Sequence, residues 1–127
     1  MYLAGTRGRL ATVAEIASTY NISLNHLTKV AHELGLAGYI VGVRGHGGGI
    51  RLAKPAEAIT VGEIVRKIEA DTTLLDCIRP GNTSCPLIQA CVLRQSVMMA
   101  SAAFFQVLDR YTFGDLIEQG AQLVQGF

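Results

Sequence analysis

Apolar residues recur first at helical spacing, then in a short β-rich run, then at helical spacing again over a long C-terminal stretch. Residues 1–10 begin with apolar side chains but carry no helix start signal, and read as the end of an element. Thr12-Val13-Ala14-Glu15 is a capping box, in which the threonine hydroxyl accepts from the third helical N–H and the glutamate reaches back to the cap. It predicts a short helix over 13–19 with Val13, Ile16 and Ala17 on one face. Tyr20-Asn21-Ile22 breaks that helix, because Asn tolerates a left-handed turn conformation. Ser23 caps a second helix, with Ile22 positioned to staple Leu27. Leu27, Val30, Ala31 and Leu34 share one face of this helix, leaving Asn25, His26, Lys29 and also His32 on another. Gly35 and Gly38 end it.

Tyr39-Ile40-Val41-Gly42-Val43-Arg44 is β-rich, the following glycine-rich segment is a flexible turn, and Ile50-Arg51-Leu52 returns as a strand. Two short helices and a tight turn followed by a hairpin make a winged helix-turn-helix. In that arrangement the second helix enters the major groove of DNA. Ser23, Asn25, His26 and Lys29 then face the duplex, and Arg44, His46 and Arg51 are placed to reach phosphates or a narrow minor groove. The helices alone also fit an ordinary helical hairpin. Nucleotide binding is excluded, since the glycine-rich turn completes neither GxGxxG nor GxxxxGK[ST] and leads into no immediate helix.

Pro55 marks a boundary, and Thr60-Val61-Gly62-Glu63 is a second capping box for a helix to about Glu69, packed through Ile64, Val65 and Ile68. The stretch 70–84 is irregular and contains Asp71, Asp76, Arg79, Pro80, Gly81 and Asn82. Pro86 suits a first helical position. From Leu87 to about Tyr111 no residue breaks the pattern, predicting a helix about 37 Å long. Its surface is so apolar that a chain of this size cannot cover it, which argues for a homodimer. Thr112-Phe113-Gly114-Asp115 starts a last short helix through Ile117, after which the terminal residues look loose. The chain divides into a winged helix-turn-helix over 1–54, a connecting helix and cysteine loop over 55–85, and a long dimerisation helix with a C-terminal helix over 86–127. The fold class is mainly α.

Composition sharpens this picture. Half of the 127 residues are apolar, enough for a core of ordinary size. The net charge is +1, but residues 1–54 carry six Lys and Arg against two Glu, and 55–127 carry five against eight acidic residues. The first half therefore presents the surface suited to a polyanion. No apolar stretch reaches the roughly 18 residues of a membrane-spanning helix. No secretory signal opens the chain, and an odd number of thiols cannot close into intramolecular disulfides, so a reduced, cytoplasmic location is expected.

The three thiols are Cys77, Cys85 and Cys91, spaced Cys-x7-Cys-x5-Cys. Their clustering among polar, Pro- and Gly-containing residues points to a metal site. Two lie on the loop and Cys91 is expected in the first turns of the long helix, whose dipole favours thiolates. Arg79 and Arg94 offset the negative charge of a thiolate-ligated centre. Zinc prefers four protein ligands, and the nearest histidine, His46, is on the distant wing. Iron-sulfur clusters also use thiolates, and three cysteines leave one iron for a weaker ligand. A thiol-redox enzyme is disfavoured, with no CxxC and no histidine nearby to activate a thiolate.

The helix-turn-helix, the wing Val43-Arg44-Gly45-His46-Gly47-Gly48-Gly49-Ile50-Arg51-Leu52, the helix start Val61-Gly62-Glu63-Ile64, the three cysteines and the ending Leu108-Asp109-Arg110-Tyr111-Thr112 together resemble one family. It is the winged-helix iron-sulfur repressors that include NsrR and IscR. The match covers nearly the whole chain, and the tail Asp109-Arg110-Tyr111-Thr112-Phe113-Gly114-Asp115-Leu116 looks most like the nitric-oxide-sensitive NsrR branch. The resemblance implies a homodimer on palindromic operator DNA, with one 4Fe-4S or 2Fe-2S cluster per subunit held by Cys77, Cys85 and Cys91. Nitric oxide is the effector it implies, with iron-sulfur or redox status as the alternative signal and a zinc-stabilised regulator as the alternative chemistry. Family members carry a longer first helix, and this chain opens near that helix's end. A carboxylate there can serve as fourth ligand in NsrR-like proteins. Here Asp76, another side chain or a small exogenous ligand is left to take its place.

Overall fold

The computed structural model describes residues 1–69 and 73–125. Within them the chain forms α1 (Tyr2–Gly5), α2 (Val13–Tyr20), α3 (Leu24–Leu36), β1 (Ile40–Val43) and β2 (Gly49–Leu52). A 3-10 turn at Ala56–Ala58, α4 (Val61–Ile68), a second 3-10 turn at Asp76–Ile78, α5 (Val92–Leu108) and α6 (Phe113–Gln125) follow. The loop position Asp71 and the last two residues, expected to be loose, lie outside the described residues.

The helix-turn-helix forms where its local signals place it. Thr12 Oγ accepts from the Glu15 N–H at 3.0 Å, and Ser23 Oγ accepts more loosely from His26 N–H at 3.4 Å. Asn21 sits at φ 53, ψ 47, the left-handed conformation expected at the turn. The first capping box is bent to another purpose. The Glu15 carboxylate is taken mainly by Arg9, at 2.7 Å, and by the Tyr2 hydroxyl, which ties α1 to α2. Residues 1–10 accordingly contain the one-turn helix α1, where the sequence predicted no helix start. No side chain caps its N-terminus, and tertiary contacts hold it: the Glu15 bond and an edge-on packing of Tyr2 against Tyr20, ring centres 6.0 Å apart.

The hairpin pairs Ile40 with Leu52 and Val43 with Gly49, antiparallel. Ala11 bridges to β2 as an isolated antiparallel pair, exchanging backbone hydrogen bonds of 3.0 and 2.8 Å with Ile50. This close approach requires Gly49, since a Cβ there would lie 2.7 Å from the Ala11 carbonyl oxygen. Ala11, Ile16, Ala17, Ile40 and Ile59 form the buried core, so the wing, α2 and the segment before α4 share one interior.

The second capping box forms in full at Thr60 and Glu63. The long helix differs from expectation. Pro86 does not start it: residues 86–90 make successive three-residue turns, with Ile88 N–H donating to Cys85 O and Ala90 N–H to Leu87 O, at 3.2 and 3.0 Å. The helix begins at Val92 with Cys91 as its N-cap, the thiol accepting from Arg94 N–H at 3.4 Å. It ends at Leu108, giving 17 residues and a length of roughly 26 Å at the usual rise. The last helix is longer than predicted, through Gln125, and opens on a second reciprocal cap, between Thr112 and Asp115. A short antiparallel pairing of residues 59–61 with 111–113, through Val61 N–H to Tyr111 O at 2.8 Å and Phe113 N–H to Ile59 O at 3.0 Å, joins the starts of α4 and α6.

Candidate nucleic-acid interface and cysteine loop

On α3 the inward face is Leu27, Val30, Ala31 and Leu34, each half-buried. Ser23, Asn25, His26 and Lys29 are exposed together at its start, with His32 beyond them. Burying one stripe of an amphipathic helix leaves the opposite stripe to solvent, so the polar face of the second helix is free along the first turns. Thr28 shares the exposed surface, but its hydroxyl donates to Leu24 O at 2.7 Å and is committed to the helix.

The wing projects its polar side chains from a turn built of glycines. His46 stands between Gly45 at φ 105 and Gly47 at φ 76, conformations that L side chains rarely adopt. Arg44, His46 and Arg51 are all exposed, Arg51 tethered by a 3.2 Å hydrogen bond to Leu52 O. Two cations missed in the sequence lie beside them. Arg7 and Lys54 line the same groove as Arg51, a cavity of about 660 Å³ that Glu57 also borders. Lys54 Nζ rests 5.3 Å from the centre of the Tyr39 ring. The Lys54-Pro55 step at the hairpin foot was the available signal. Tyr39 also links the wing to α4: burial first, then a hydrogen bond to Glu63, raise its phenol above the ordinary value.

The three cysteines are free thiols, each partly exposed. Cys77 lies in the 3-10 turn, Cys85 in the irregular segment that follows, and Cys91 caps α5 rather than entering its first turns as the sequence predicted. Arg94 touches two of them: its backbone N–H donates to Cys91 Sγ, and its side-chain Nε donates to the Cys77 carbonyl at 3.2 Å. Local bonds shape the loop between, with Asn82 Nδ2 donating to Asp76 O at 3.0 Å and the Ser84 hydroxyl to Asn82 Oδ1 at 2.7 Å. Asp76 pairs with Arg79 at 3.2 Å and is otherwise widely exposed.

Among the described residues, no three His, Cys, Asp or Glu side chains are grouped so as to hold a metal ion. The donors nonetheless suit a thiolate-ligated centre in kind: three soft ligands on one short segment, none in a disulfide, with cationic Arg94 at the capped helix start. Their chemistry fits the group, and closing them around it requires the loop, held by the local bonds above, to draw inward.

The far end of α5 is fastened separately. Arg66 of α4 forms two hydrogen bonds to the Asp109 carboxylate, 2.8 and 2.7 Å, and lies 4.4 Å over the Phe105 ring. On α5 the half-buried positions are Arg94, Val97, Ser101, Phe105 and Leu108, at helical spacing. Val92, Leu93, Met98, Met99, Phe104 and Val107 are exposed on the rest of it.

Among the described residues no helix is long and apolar enough to cross a membrane. A family model described as Rrf2, iron-dependent transcriptional regulator, matches residues 1–119. The chain is 44% identical over 115 residues to the HTH-type transcriptional regulator NsrR of Oceanobacillus iheyensis, covering 91% of this chain and 78% of that protein. It is 40% identical over 126 residues to the HTH-type transcriptional regulator NsrR of Bacillus subtilis, covering 98% and 86%. Of solved structures, T. potens IscR matches with a TM-score of 0.72 at 25% identity, covering 93% of this chain and 77% of that one. CymR, the global cysteine regulator of B. subtilis, matches with a TM-score of 0.71 at 27% identity, covering 93% and 86%. The fold is that of a winged-helix regulator, and the relatives are transcriptional regulators rather than enzymes. The chain belongs to the Rrf2 family of iron-dependent transcriptional regulators.

Proposed function

We propose that the chain represses transcription by holding operator DNA as a homodimer, and that an iron-sulfur cluster on Cys77, Cys85 and Cys91 makes this hold sensitive to nitric oxide. Asn25, His26 and Lys29, behind the Ser23 cap, read the major groove, and Arg44, His46 and Arg51 hold the flanking backbone. Residues 1–54 supply this reading surface, 55–85 the connecting helix and cysteine loop, and 86–127 the pairing helix and α6. A second copy covers the apolar side of α5, as expected for an amphipathic helix whose opposite side already packs on α4. The relatives are bacterial regulators, and the place of work is the cytoplasm, where the chromosome lies.

The observation that carries this reading is the position of Cys91. It caps the same helix whose other end, at Asp109, is clasped to α4, and α4 follows the wing after the 3-10 turn at Ala56–Ala58. A bound cluster, 4Fe-4S or 2Fe-2S, supplies iron that reacts with nitric oxide. The chain supplies the transmission. Cys77 and Cys85 belong to the loop and Cys91 to α5, so a ligand held by all three would tie loop to helix. Through the Arg66–Asp109 clasp and the pairing of 59–61 with 111–113, a shift of α5 reaches the wing and the spacing of the two α3 helices in the dimer.

Anaerobically purified protein is expected to contain iron and sulfide and to bind operator duplex in fluorescence anisotropy, with affinity lost on nitric oxide titration. Colourless protein without iron, or stoichiometric zinc with no visible absorbance, overturns the proposal.

A further inference from the structure

Arg94 occupies the third position of α5, where a residue contributes its N–H to the cap and its side chain to solvent or to a neighbour. Here both groups go to the cysteine segment. The backbone N–H donates to Cys91 Sγ at 3.4 Å, and the guanidinium Nε crosses seventeen residues of chain to donate to the Cys77 carbonyl at 3.2 Å. The side chain is half-buried, in line with the other half-buried positions of α5. Cys85, in contrast, has no bond to Arg94; its carbonyl accepts from Ile88 N–H, within the turn that follows.

We propose that Arg94 is a positioning residue that keeps the Cys77 turn against the Cys91 cap in the metal-free chain, so that two of the three thiols wait side by side and Cys85 closes last. The inference deepens the proposed cluster site and rests on it for its purpose. The physical reason is entropic. A loop of this length pays for closure when its ends are brought together, and a bond that closes it beforehand removes that cost from ligand capture. Arginine suits the task because its planar, always charged head forms a hydrogen bond to a carbonyl stronger than a neutral donor's. The sequence showed Arg94 only as a charge near the thiols; the geometry gives it a backbone partner.

The test uses the full chain, reduced and metal-free, treated with a short-span bis-maleimide and digested for peptide mass spectrometry. The ratio of Cys77–Cys91 to Cys85–Cys91 crosslinks reads the arrangement directly, the second pair serving as internal control. Arg94→Met, which keeps the stem and removes the head, is expected to lower this ratio about tenfold or more, the size of effect of one charge-assisted hydrogen bond. Arg94→Lys should restore part of it. An unchanged ratio in Arg94→Met overturns the inference. Should Arg94→Met lose its helical circular dichroism, Arg94→Gln takes its place in the comparison: a lowered ratio supports the inference and an unchanged one overturns it. Iron content of the reconstituted wild-type chain is measured separately. A fallen ratio with no iron uptake sinks the cluster and leaves the positioning role standing, whereas normal iron uptake with an unchanged ratio sinks the positioning role alone.

Discussion

Gly62 lies directly under the Asp109 carboxylate: a Cβ at this position would collide with Asp109 Oδ1 and lie 3.2 Å from Arg66 Nη1. The absence of a side chain on the first turn of α4 is thus what lets Arg66 grip the end of α5 with both nitrogens. A bidentate pair of this kind fixes geometry more than it adds stability, because both partners are substantially exposed.

Gly62→Ala should therefore turn Asp109 away from Arg66 at little net cost in stability. The helical gain of roughly 0.5–1 kcal/mol offsets the loss of an exposed pair, which contributes little. Thermal melts should show a midpoint near that of the wild type for Gly62→Ala. In the Asp109→Ala background the same substitution should stabilise, so that the two changes are not additive, since the methyl then meets no carboxylate. Strict additivity would refute the steric account.

Acid should loosen α1 from α2 through Glu15. The Arg9 guanidinium, and after it the Tyr2 hydroxyl, hold this carboxyl at about 2, below its usual 4.5. A depressed folded value contributes stability that is present above the usual value and lost as pH falls through the folded one. The urea midpoint of the wild-type chain should fall between about pH 4.5 and pH 2 more steeply than that of Glu15→Gln. Parallel curves for the two proteins would contradict the assignment. Asp109, lowered chiefly by Arg66, adds to the same slope.

Base reading and backbone binding separate by their response to salt. Arg44→Ala and Arg51→Ala should each reduce the slope of log affinity against log salt by about one and weaken all duplexes alike. Asn25→Ala should cost about 1–3 kcal/mol on the operator and relax preference at a single base pair while leaving the slope intact. Anisotropy titrations at several salt concentrations on operator and scrambled duplexes distinguish these outcomes.

Pairing through α5 predicts that a charge on its outer side separates the subunits. Met99 is 73% exposed in the single chain, and Met99→Glu should sediment as a monomer while keeping its helical content. Its operator affinity should drop toward that for one half-site, as two half-sites are no longer engaged at once. A dimer of unchanged stability would place the interface elsewhere.

The sequence alone determined what depends on neighbours three or four residues away. Caps at Thr12, Ser23 and Thr60, the left-handed turn at Asn21, the strands of the wing and the polar face carrying Asn25, His26 and Lys29 are all local, because a cap or a helical stripe is specified by residues within one or two turns. The cysteine cluster was legible as a spacing, and Arg44, His46 and Arg51 as shoulders of a hairpin. What only the tertiary structure decided is where each group finds a distant partner. Pro86 has the chemistry of a helix start, yet α5 begins six residues later, at Val92, behind a thiol that accepts the capping N–H, and Arg94 reaches back to Cys77. Glu15 has the chemistry of a capping box, yet Arg9 and Tyr2 draw it away. Gly62 and Asp109 are 47 positions apart in the chain, and no periodicity records that the first must lack a side chain for the second to be held. Local patterns are read from spacing because chain geometry fixes their contacts, whereas a charge or a glycine acquires its partner only when the elements pack.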